Sequence, residues 1–137
     1  MAPLLVAAAI IEWEGRILLT RRKPDVPYPD LWEFPGGKME EGEDPRDCII
    51  REIREELDID VAVVSIYDVV YYRYPERDVL VLAWLCRWSA GVVRDLDVAA
   101  HSWVCPADIP AFDLLPADVQ LGQRLAAEFG NEHTACI

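Results

Sequence analysis

Three glutamates near the middle of the chain are spaced so that a helix would turn them to one side. Glu52, Glu55 and Glu56 stand in the relation i, i+3 and i+4, which places side chains on one helix face. Carboxylates directed at one point repel each other unless a strong positive charge lies between them. A divalent cation is the simplest such charge, and all-oxygen ligands favour Mg²⁺, with Mn²⁺ as a substitute, over zinc. The spacing therefore predicts a metal site.

The helix that must carry these glutamates has clear start and stop signals. Asp44 is a candidate N-cap, and Pro45 occupies the first helical position. The apolar face of the helix is formed by Ile49, Ile50, Ile53 and Leu57. We expect the helix to end near Leu57, with one face anchored to a core and the adjacent face presenting the carboxylates.

The rest of the pattern predicts strands and a second helix. Apolar or β-rich runs cover residues 3–12, 17–22, 31–34, 61–74, 79–88 and 102–105. A helix is expected at 116–129, and a loop with three prolines at 23–30. This order of elements predicts an α/β fold in which one mixed sheet is layered between helices. At 137 residues, the chain is expected to form a single domain over 1–137.

Negative charge is concentrated on the segment that contains the glutamates. The net charge is −12, and residues 38–60 carry ten acidic and four basic side chains. Such a segment attracts cations and argues against a nucleic-acid polymer as partner. No apolar run reaches the ~20 residues that span a membrane. The four cysteines form no CxxC pair, so we expect free thiols in a reducing cytoplasm at positions 48, 86, 105 and 136.

A longer frame around the cluster resembles the signature of the Nudix hydrolase family, G-x5-E-x7-R-E-U-x-E-E-x-G-U, where U is a bulky aliphatic residue. The match covers eight positions: Gly37, Glu43, Arg51, Glu52, Ile53, Glu55, Glu56 and Ile59. Asp58 replaces the family's second glycine, which normally adopts a left-handed conformation, and Asp tolerates that conformation at modest cost. The resemblance implies a Nudix-type α/β/α sandwich.

The resemblance also implies roles for the matched residues. The metal ligands would be one backbone carbonyl and three side chains, from Gly37, Glu52, Glu55 and Glu56. Glu43 would hydrogen-bond a metal-bound water, and Arg51, four residues before Glu55, would orient that carboxylate. These glutamates and Arg51 form the expected catalytic group, and which carboxylate is the general base stays open.

A further carboxylate is expected from a distant loop. Members of the family often place a glutamate six residues before a strand tryptophan, and counting back from Trp103 gives Asp97. Asp97 is one methylene shorter than that glutamate. It is either a metal or base residue, or an ordinary solvated loop aspartate.

Four other segments, LTRRKP, LWEFPGGK, YPER and PAD, resemble the MutT branch of the family, whose members hydrolyse nucleoside triphosphates to monophosphate and pyrophosphate. They imply substrate contacts from Arg22, Phe34, Lys38, Tyr74, Arg77 and Asp118. Ordinary explanations stay open, because aromatic residues are more often core and arginines more often surface.

Asp118 is the most informative of these residues for the choice of base. It stands where the MutT pattern has asparagine, and an ionised aspartate only accepts hydrogen bonds. This favours an exocyclic amino group, such as cytosine N4 or a purine amine. The alternative is a structural role, since acidic residues are favoured in the first turn of a helix.

We therefore expect a Mg²⁺-dependent nucleoside triphosphate pyrophosphohydrolase of the nucleotide pool, acting on cytidine nucleotides or 8-oxo-dGTP. One alternative is a Nudix hydrolase of ADP-ribose or another X-linked nucleoside diphosphate. The other is a non-catalytic Nudix-fold nucleotide-binding module, although such modules usually lack some of the glutamates that this chain retains. The protein is expected to be a monomer or homodimer.

Overall fold

The structure is a computed structural model that describes residues 2–131. Its elements are, in chain order, β1 (Leu4–Trp13), β2 (Arg16–Arg21), β3 (Trp32–Glu33), β4 (Gly36–Lys38), α1 (Pro45–Leu57), β5 (Ile59–Arg73), β6 (Asp78–Gly91), β7 (Ala100–Val104) and α2 (Pro116–Phe129). A 3₁₀ helix spans Pro106–Ala111. Within residues 2–131, neither α1 nor α2 has the length and apolar character of a transmembrane helix.

The strands form a mixed sheet in the order β3-β2-β1-β6-β5, with β4 paired to β1 and β7 paired to β2. β1 and β6 run parallel, and the other pairs are antiparallel. β4 leads into α1, and it pairs with the central strand so that Gly37 lies opposite Ala7. The start of the carboxylate-bearing segment is therefore fixed against the middle of the sheet.

Each face of the sheet is covered by one of the two α-helices. On one face, β1 packs against the apolar stripe of α1 in a cluster that includes Ala7, Ala9, Ile11, Ile49, Ile53 and Leu57. On the other, it packs against α2 in a cluster that includes Ala8, Ile10, Leu121 and Leu125. Burying one large aliphatic side chain contributes about 1.5–3 kcal/mol, so these stripes hold both helices on the sheet. The predicted mixed sheet between helices is confirmed.

The helix α1 has the predicted ends, Pro45 and Leu57. Asp44 caps its first turn, and Asp44 Oδ1 accepts a 2.8 Å hydrogen bond from the backbone N–H of Arg46. Asp58 ends the helix in a left-handed conformation, with φ 57° and ψ 34°. Asp58 thus takes the conformation expected of the glycine that it replaces.

Two elements differ from the prediction. β4 lies outside the strands that the sequence predicts, and it forms because Gly36, at φ 149°, lets its backbone approach Ala7. A Cβ on Gly36 would lie 2.1 Å from the Ala7 carbonyl oxygen, so this pairing needs glycine. The second difference is the 3₁₀ helix at Pro106–Ala111, which is too short to have a periodic pattern.

The cysteines do not all match the expectation. Cys48 and Cys86 are buried free thiols, as expected, and burial raises the pKa of each to about 12. Cys105 is disulfide-bonded, so the expectation of a free thiol is wrong there. Sequence spacing does not show which sulfur atoms a fold brings to bonding distance. Cys136 lies outside the described residues.

Candidate active site

Arg51 is the centre of the carboxylate cluster on α1. Its guanidinium makes a two-pronged contact with Glu43, with Nε 2.8 Å from Oε2 and Nη2 2.9 Å from Oε1. Nη1 lies 2.9 Å from Glu52 Oε1 but 3.4 Å from Glu55 Oε2. Arg51 therefore holds Glu43 and Glu52 more closely than Glu55, the carboxylate that it is expected to orient.

Glu43 lies in the loop before α1 and is fixed there. Hydrogen bonds from Arg51 lower the pKa of Glu43 to about 2, and a bond from the backbone of Glu40 adds to the effect. Both carboxylate oxygens contact Arg51, so Glu43 anchors that arginine in this arrangement. Its bond to a metal-bound water stays a prediction.

Glu52 packs directly against the backbone of β4. A Cβ on Gly37 would lie 2.4 Å from Glu52 Cδ, so the carboxylate occupies the space that a side chain at position 37 would need. Burial raises the pKa of Glu52, and the hydrogen bond from Arg51 opposes this shift. The two residues predicted to share a metal, Glu52 and Gly37, are therefore in contact.

Alanine at Gly36 or at Gly37 should separate folding from chemistry. At Gly37 the added methyl group meets only the end of the flexible Glu52 side chain. We therefore expect kcat/KM for hydrolysis of the nucleotide substrate to fall about tenfold or more, with little change in Tm. At Gly36 it meets the Ala7 backbone, so the free energy of unfolding should fall by about 3 kcal/mol or more. Steady-state kinetics and thermal denaturation check this, and equal destabilisation of both variants would contradict it.

Glu56 lies in a cleft of about 230 Å³ that is also lined by Glu33 and Asp97. Burial raises the pKa of Glu56 to about 9, and repulsion from Glu33 and Glu52 adds to this shift. A hydrogen bond with the Gly36 backbone opposes it. The carboxyl group is therefore largely protonated at neutral pH unless a cation joins it.

Glu33, on β3, is a residue of this cleft that the motifs do not single out. Burial raises the pKa of Glu33, and Arg22, whose Nη1 lies 3.0 Å from Glu33 Oε2, opposes the shift. The one sequence feature that could have identified Glu33 as a site residue is its position between two aromatic residues. A charged residue between Trp32 and Phe34, in an otherwise apolar segment, is a candidate for a site.

The loop between β6 and β7 carries Asp97 into the same cleft. The backbone N–H groups of Leu96 and Asp97 donate to the Glu56 carbonyl oxygen at 3.0 and 3.2 Å. Carbonyls at the end of a helix have no intrahelical partner, and this loop supplies one. The Asp97 carboxylate pairs with Lys23 Nζ at 2.6 Å. The structure thus places Asp97 beside Glu56.

Two of the predicted metal ligands, Glu52 and Asp97, are each paired with a basic side chain. Among residues 2–131, no three His, Cys, Asp or Glu side chains lie close enough to form a ready metal site. Arg51 holds Glu52 and Lys23 holds Asp97. The donors nevertheless suit a hard divalent cation, because all of them are oxygens. Such an ion would also relieve the repulsion around the buried Glu56.

A second cleft, of about 260 Å³, adjoins the first and shares Arg22, Glu33 and Gly36 with it. Five of the six side chains predicted to contact substrate line it: Arg22, Phe34, Lys38, Tyr74 and Asp118. Arg77 is not among the lining residues. It lies in the turn between β5 and β6, with Nη2 3.5 Å from the Ala2 carbonyl oxygen, so the geometry lends no support to its predicted contact.

Asp118 is 4% exposed in this second cleft, and its Oδ2 accepts a 3.1 Å hydrogen bond from the Phe34 N–H. Burial raises the pKa of Asp118 to about 8, and repulsion from Glu33 adds to the shift. At neutral pH the group is therefore largely a neutral acid, which donates as well as accepts. The raised pKa of Asp118 therefore weighs against its interpretation as an acceptor only at neutral pH.

Three other residues of the second cleft have structural partners. Phe34 is 2% exposed and belongs to the core under α2. Most of its side chain therefore packs in the core and is not available to a ligand. The Tyr74 hydroxyl accepts a 3.0 Å hydrogen bond from the Ala117 N–H. Arg22 bonds Glu33. Lys38 is exposed at the end of β4 and lines the second cleft.

The fold and the site together define an α/β/α protein with a carboxylate-rich helix beside a ligand cleft. Residues 1–125 match the NUDIX domain, and the chain belongs to the Nudix family. Nudix hydrolases generally use divalent metal ions, which agrees with the all-oxygen donor set.

Two proteins of known name and one solved structure are similar to this chain over most of its length. The chain is 37% identical over 123 residues to the CTP pyrophosphohydrolase of Escherichia coli K12, covering 89% of this chain and 90% of that protein. It is 32% identical over 119 residues to the 8-oxo-dGTP diphosphatase of the same organism, covering 86% and 92%. The solution structure of the E. coli ORF135 protein superposes with a TM-score of 0.80 at 33% identity, covering 93% of this chain and 91% of that one.

Proposed function

We propose that this protein is a metal-dependent, MutT-like nucleoside triphosphate pyrophosphohydrolase that releases a nucleoside monophosphate and pyrophosphate. The observation that carries the proposal is the continuity of the two clefts. The cleft that holds Glu56 and Asp97 meets, at Gly36 and Glu33, the cleft that is lined by Asp118. In the proposed arrangement the triphosphate chain lies beside Glu56, and the base occupies the second cleft with Asp118.

The proposed metal ligands are Gly37, Glu52, Glu55, Glu56 and Asp97, with Mg²⁺ as the ion and Mn²⁺ as a substitute. A bound divalent cation neutralises phosphate charge and lowers the pKa of a bound water. Glu56 is the strongest candidate for a proton acceptor, because a cation beside this buried carboxyl group would lower its raised pKa and free the carboxylate to accept a proton. Arg51 positions Glu52 through the 2.9 Å contact and is itself held by Glu43.

The proposed substrate contacts divide by charge. Lys38 and Arg22 supply positive charge to phosphate oxygens. Tyr74, Asp118 and Phe34, which all line the second cleft, are the proposed contacts of the base. The 37% identity to a CTP pyrophosphohydrolase supports a cytidine nucleotide as the preferred substrate, and 8-oxo-dGTP is its competitor.

We further propose that residues 1–137 form one domain and that the protein works in the cytoplasm. Both proposals follow from the function, since one Nudix fold supplies every residue named above and the free nucleotide pool is the source of the substrate. Arg77 is kept as a substrate-binding candidate only through the resemblance of YPER to the MutT branch.

A panel of nucleotides tests the proposal. Purified protein with Mg²⁺ should release pyrophosphate from at least one of CTP, dCTP, 5-methyl-dCTP and 8-oxo-dGTP, with kcat/KM higher than for ADP-ribose or a dinucleotide. Phosphate analysis and chromatography of the nucleotide product identify the bond that is cleaved. Activity on ADP-ribose alone, or on none of these compounds, would reject the proposed reaction.

The ranking of nucleotides should depend on pH through Asp118. Its carboxyl group loses its proton as the pH passes about 8, which removes a donor from the cleft. In the wild-type protein, the ratio of kcat/KM between two nucleotides should therefore change severalfold between about pH 6.5 and about pH 9. In Asp118→Asn the same ratio should stay constant. Asp113→Asn, at an exposed position, is the matched control.

The raised pKa of Asp118 also leads us to expect that the stability of the protein depends on pH. The pKa of Asp118 is raised on folding, so between about pH 4 and pH 8 the folded state binds more protons than the unfolded state. The free energy of unfolding should therefore fall as the pH rises through this range, and Asp118→Asn should reduce that fall. Chemical denaturation without metal at both ends of the range measures it, and identical slopes would place the pKa of Asp118 near its ordinary value.

A further inference from the structure

Tyr28 has a backbone conformation that a bulky residue rarely adopts. Its φ is 55°, in the left-handed region that favours glycine or asparagine. Residues held there persist only where the surrounding structure fixes them, and they are concentrated at functional sites. Tyr28 belongs to the loop between β2 and β3, residues 22–31, which we call the strap.

Arg22, the first residue of the strap, holds the strap backbone through hydrogen bonds. Its Nε donates to the carbonyl oxygens of Pro27 and Tyr28 at 3.0 and 3.2 Å, and its Nη2 donates to Pro27 at 2.6 Å. The same guanidinium bonds Glu33 at the junction of the two clefts. The backbone of Tyr28 is therefore held by a residue that itself lines the proposed substrate site.

Glu76 fixes the other end of Tyr28. The phenol O–H donates to Glu76 Oε1 at 2.6 Å, which joins the strap to the turn between β5 and β6. The side chain thus bridges two segments that border the second cleft, so its position depends on both.

The ring of Tyr28 faces the proposed base-binding end of the second cleft. It is one of the lining residues, and its centroid lies 5.0 Å from that of Tyr74. Tyr74 in turn bonds the N–H of Ala117, next to Asp118. Aliphatic side chains also line the cleft, among them Leu4, Val6, Val79 and Val81. A slot with aromatic and aliphatic walls suits a flat, weakly polar ring.

We propose that Tyr28 is a specificity-determining residue whose ring stacks on the nucleobase, while its hydrogen bond to Glu76 sets the width of the slot. The inference deepens the proposed function, since it takes a nucleotide as the ligand. Base–aromatic stacking itself tolerates any base, so the selectivity comes from the fixed position of the ring. Loss of the ring should weaken binding, whereas loss of the hydroxyl should relax selection by base size.

Two substitutions of Tyr28 separate these effects. Tyr28→Ala should raise KM for the preferred nucleotide about tenfold, as expected for a lost stacking contact, with kcat within about threefold of wild type. Tyr28→Phe keeps the ring and should lower the ratio of kcat/KM between CTP and 8-oxo-dGTP severalfold. Glu76→Ala should reproduce Tyr28→Phe, and the double variant should add nothing, because both changes remove one hydrogen bond.

Tyr71 supplies a matched control. Its hydroxyl donates to Asp78 Oδ2, also at 2.6 Å, but the ring is 50% exposed and does not line the second cleft. Tyr71→Ala and Tyr71→Phe should leave KM, kcat and the substrate ratio unchanged. Thermal denaturation of all variants identifies any general loss of folding.

Calorimetric titration with CMP and GMP, without metal, tests the inference independently of turnover. Tyr28→Ala should weaken the binding of the preferred monophosphate about tenfold, and this result supports stacking even if the wild-type protein cleaves no triphosphate. Unchanged monophosphate affinity and KM in Tyr28→Ala would overturn the inference. So would an equal loss of kcat for every substrate with KM unchanged, since that pattern indicates a structural role.

Discussion

Replacing Glu56 by glutamine should lower kcat by about a thousandfold and at the same time stabilise the folded protein. Glutamine has the shape of glutamate but neither accepts a proton nor binds a cation with full charge. The loss should appear in kcat and in kcat/KM alike, because the missing interaction belongs to the chemical step. Steady-state release of pyrophosphate in Mg²⁺ measures it.

The gain in stability has a separate cause. Glu56 is enclosed with Glu33 and faces Glu52 and Asp97, and burial and these charges raise its pKa. Near neutral pH without metal, Glu56 must take up a proton on folding, and a neutral amide avoids this cost, so the unfolding free energy should rise by about 1–2 kcal/mol. Chemical denaturation in the presence of a chelator measures this change.

Two other glutamates make the result specific. Glu55→Gln should also lose most activity, but without a gain in stability, because the Glu55 side chain is 58% exposed. Glu41→Gln, at an exposed position before α1, should change neither quantity. Full activity of Glu56→Gln would remove Glu56 from the proposed catalytic group.

Arg51→Lys is expected to have the second largest effect, a fall in kcat/KM of about 10- to 100-fold. Lysine keeps the charge but cannot reproduce the two-pronged contact with Glu43 or bond Glu52 at the same time. Glu52 would then lose the partner that holds its carboxylate against Gly37. Kinetics at several Mg²⁺ concentrations should show that higher metal concentration restores part of the activity.

The same substitution should lower stability, because Arg51 also donates to the Lys38 carbonyl oxygen at 3.2 Å and so ties α1 to β4. We expect a loss of about 1–3 kcal/mol for the broken charge-assisted bonds. Arg54→Lys is the control: Arg54 lies on the same helix and pairs with Asp60, but its side chain is 62% exposed. Similar losses in both variants would show that the contacts of Arg51 are not special.

The sequence predicts α1 and its carboxylates well because their determinants are local. The cap at Asp44, the proline at 45 and the left-handed residue at 58 all act within a few residues of the helix ends. Helical spacing likewise fixes the relation of Glu52 to Glu56. The resemblance to the Nudix signature adds Gly37, whose contact with Glu52 depends on the pairing of β4 with β1 and is not visible in the helical pattern alone.

The rest of the site depends on contacts that are distant in sequence. Glu33 reaches Glu56 only because β3 and α1 border the same cleft, and no local pattern records this. The protonation of Asp118 depends on its burial beneath Phe34 and on the nearby Glu33. Arg77 is the reverse case, since a motif position that the sequence singles out is not among the residues that line the cleft, and its substrate contact stays a prediction.

The hydrogen bonds from the 96–97 backbone to the end of α1 bear on how this site can evolve. Because main-chain N–H groups make them, the side chain at position 96 is free to vary, and only proline there would remove a donor. Asp97 consequently keeps its place next to Glu56 while the rest of its loop drifts. Sequence change in that loop is therefore compatible with an intact carboxylate cluster.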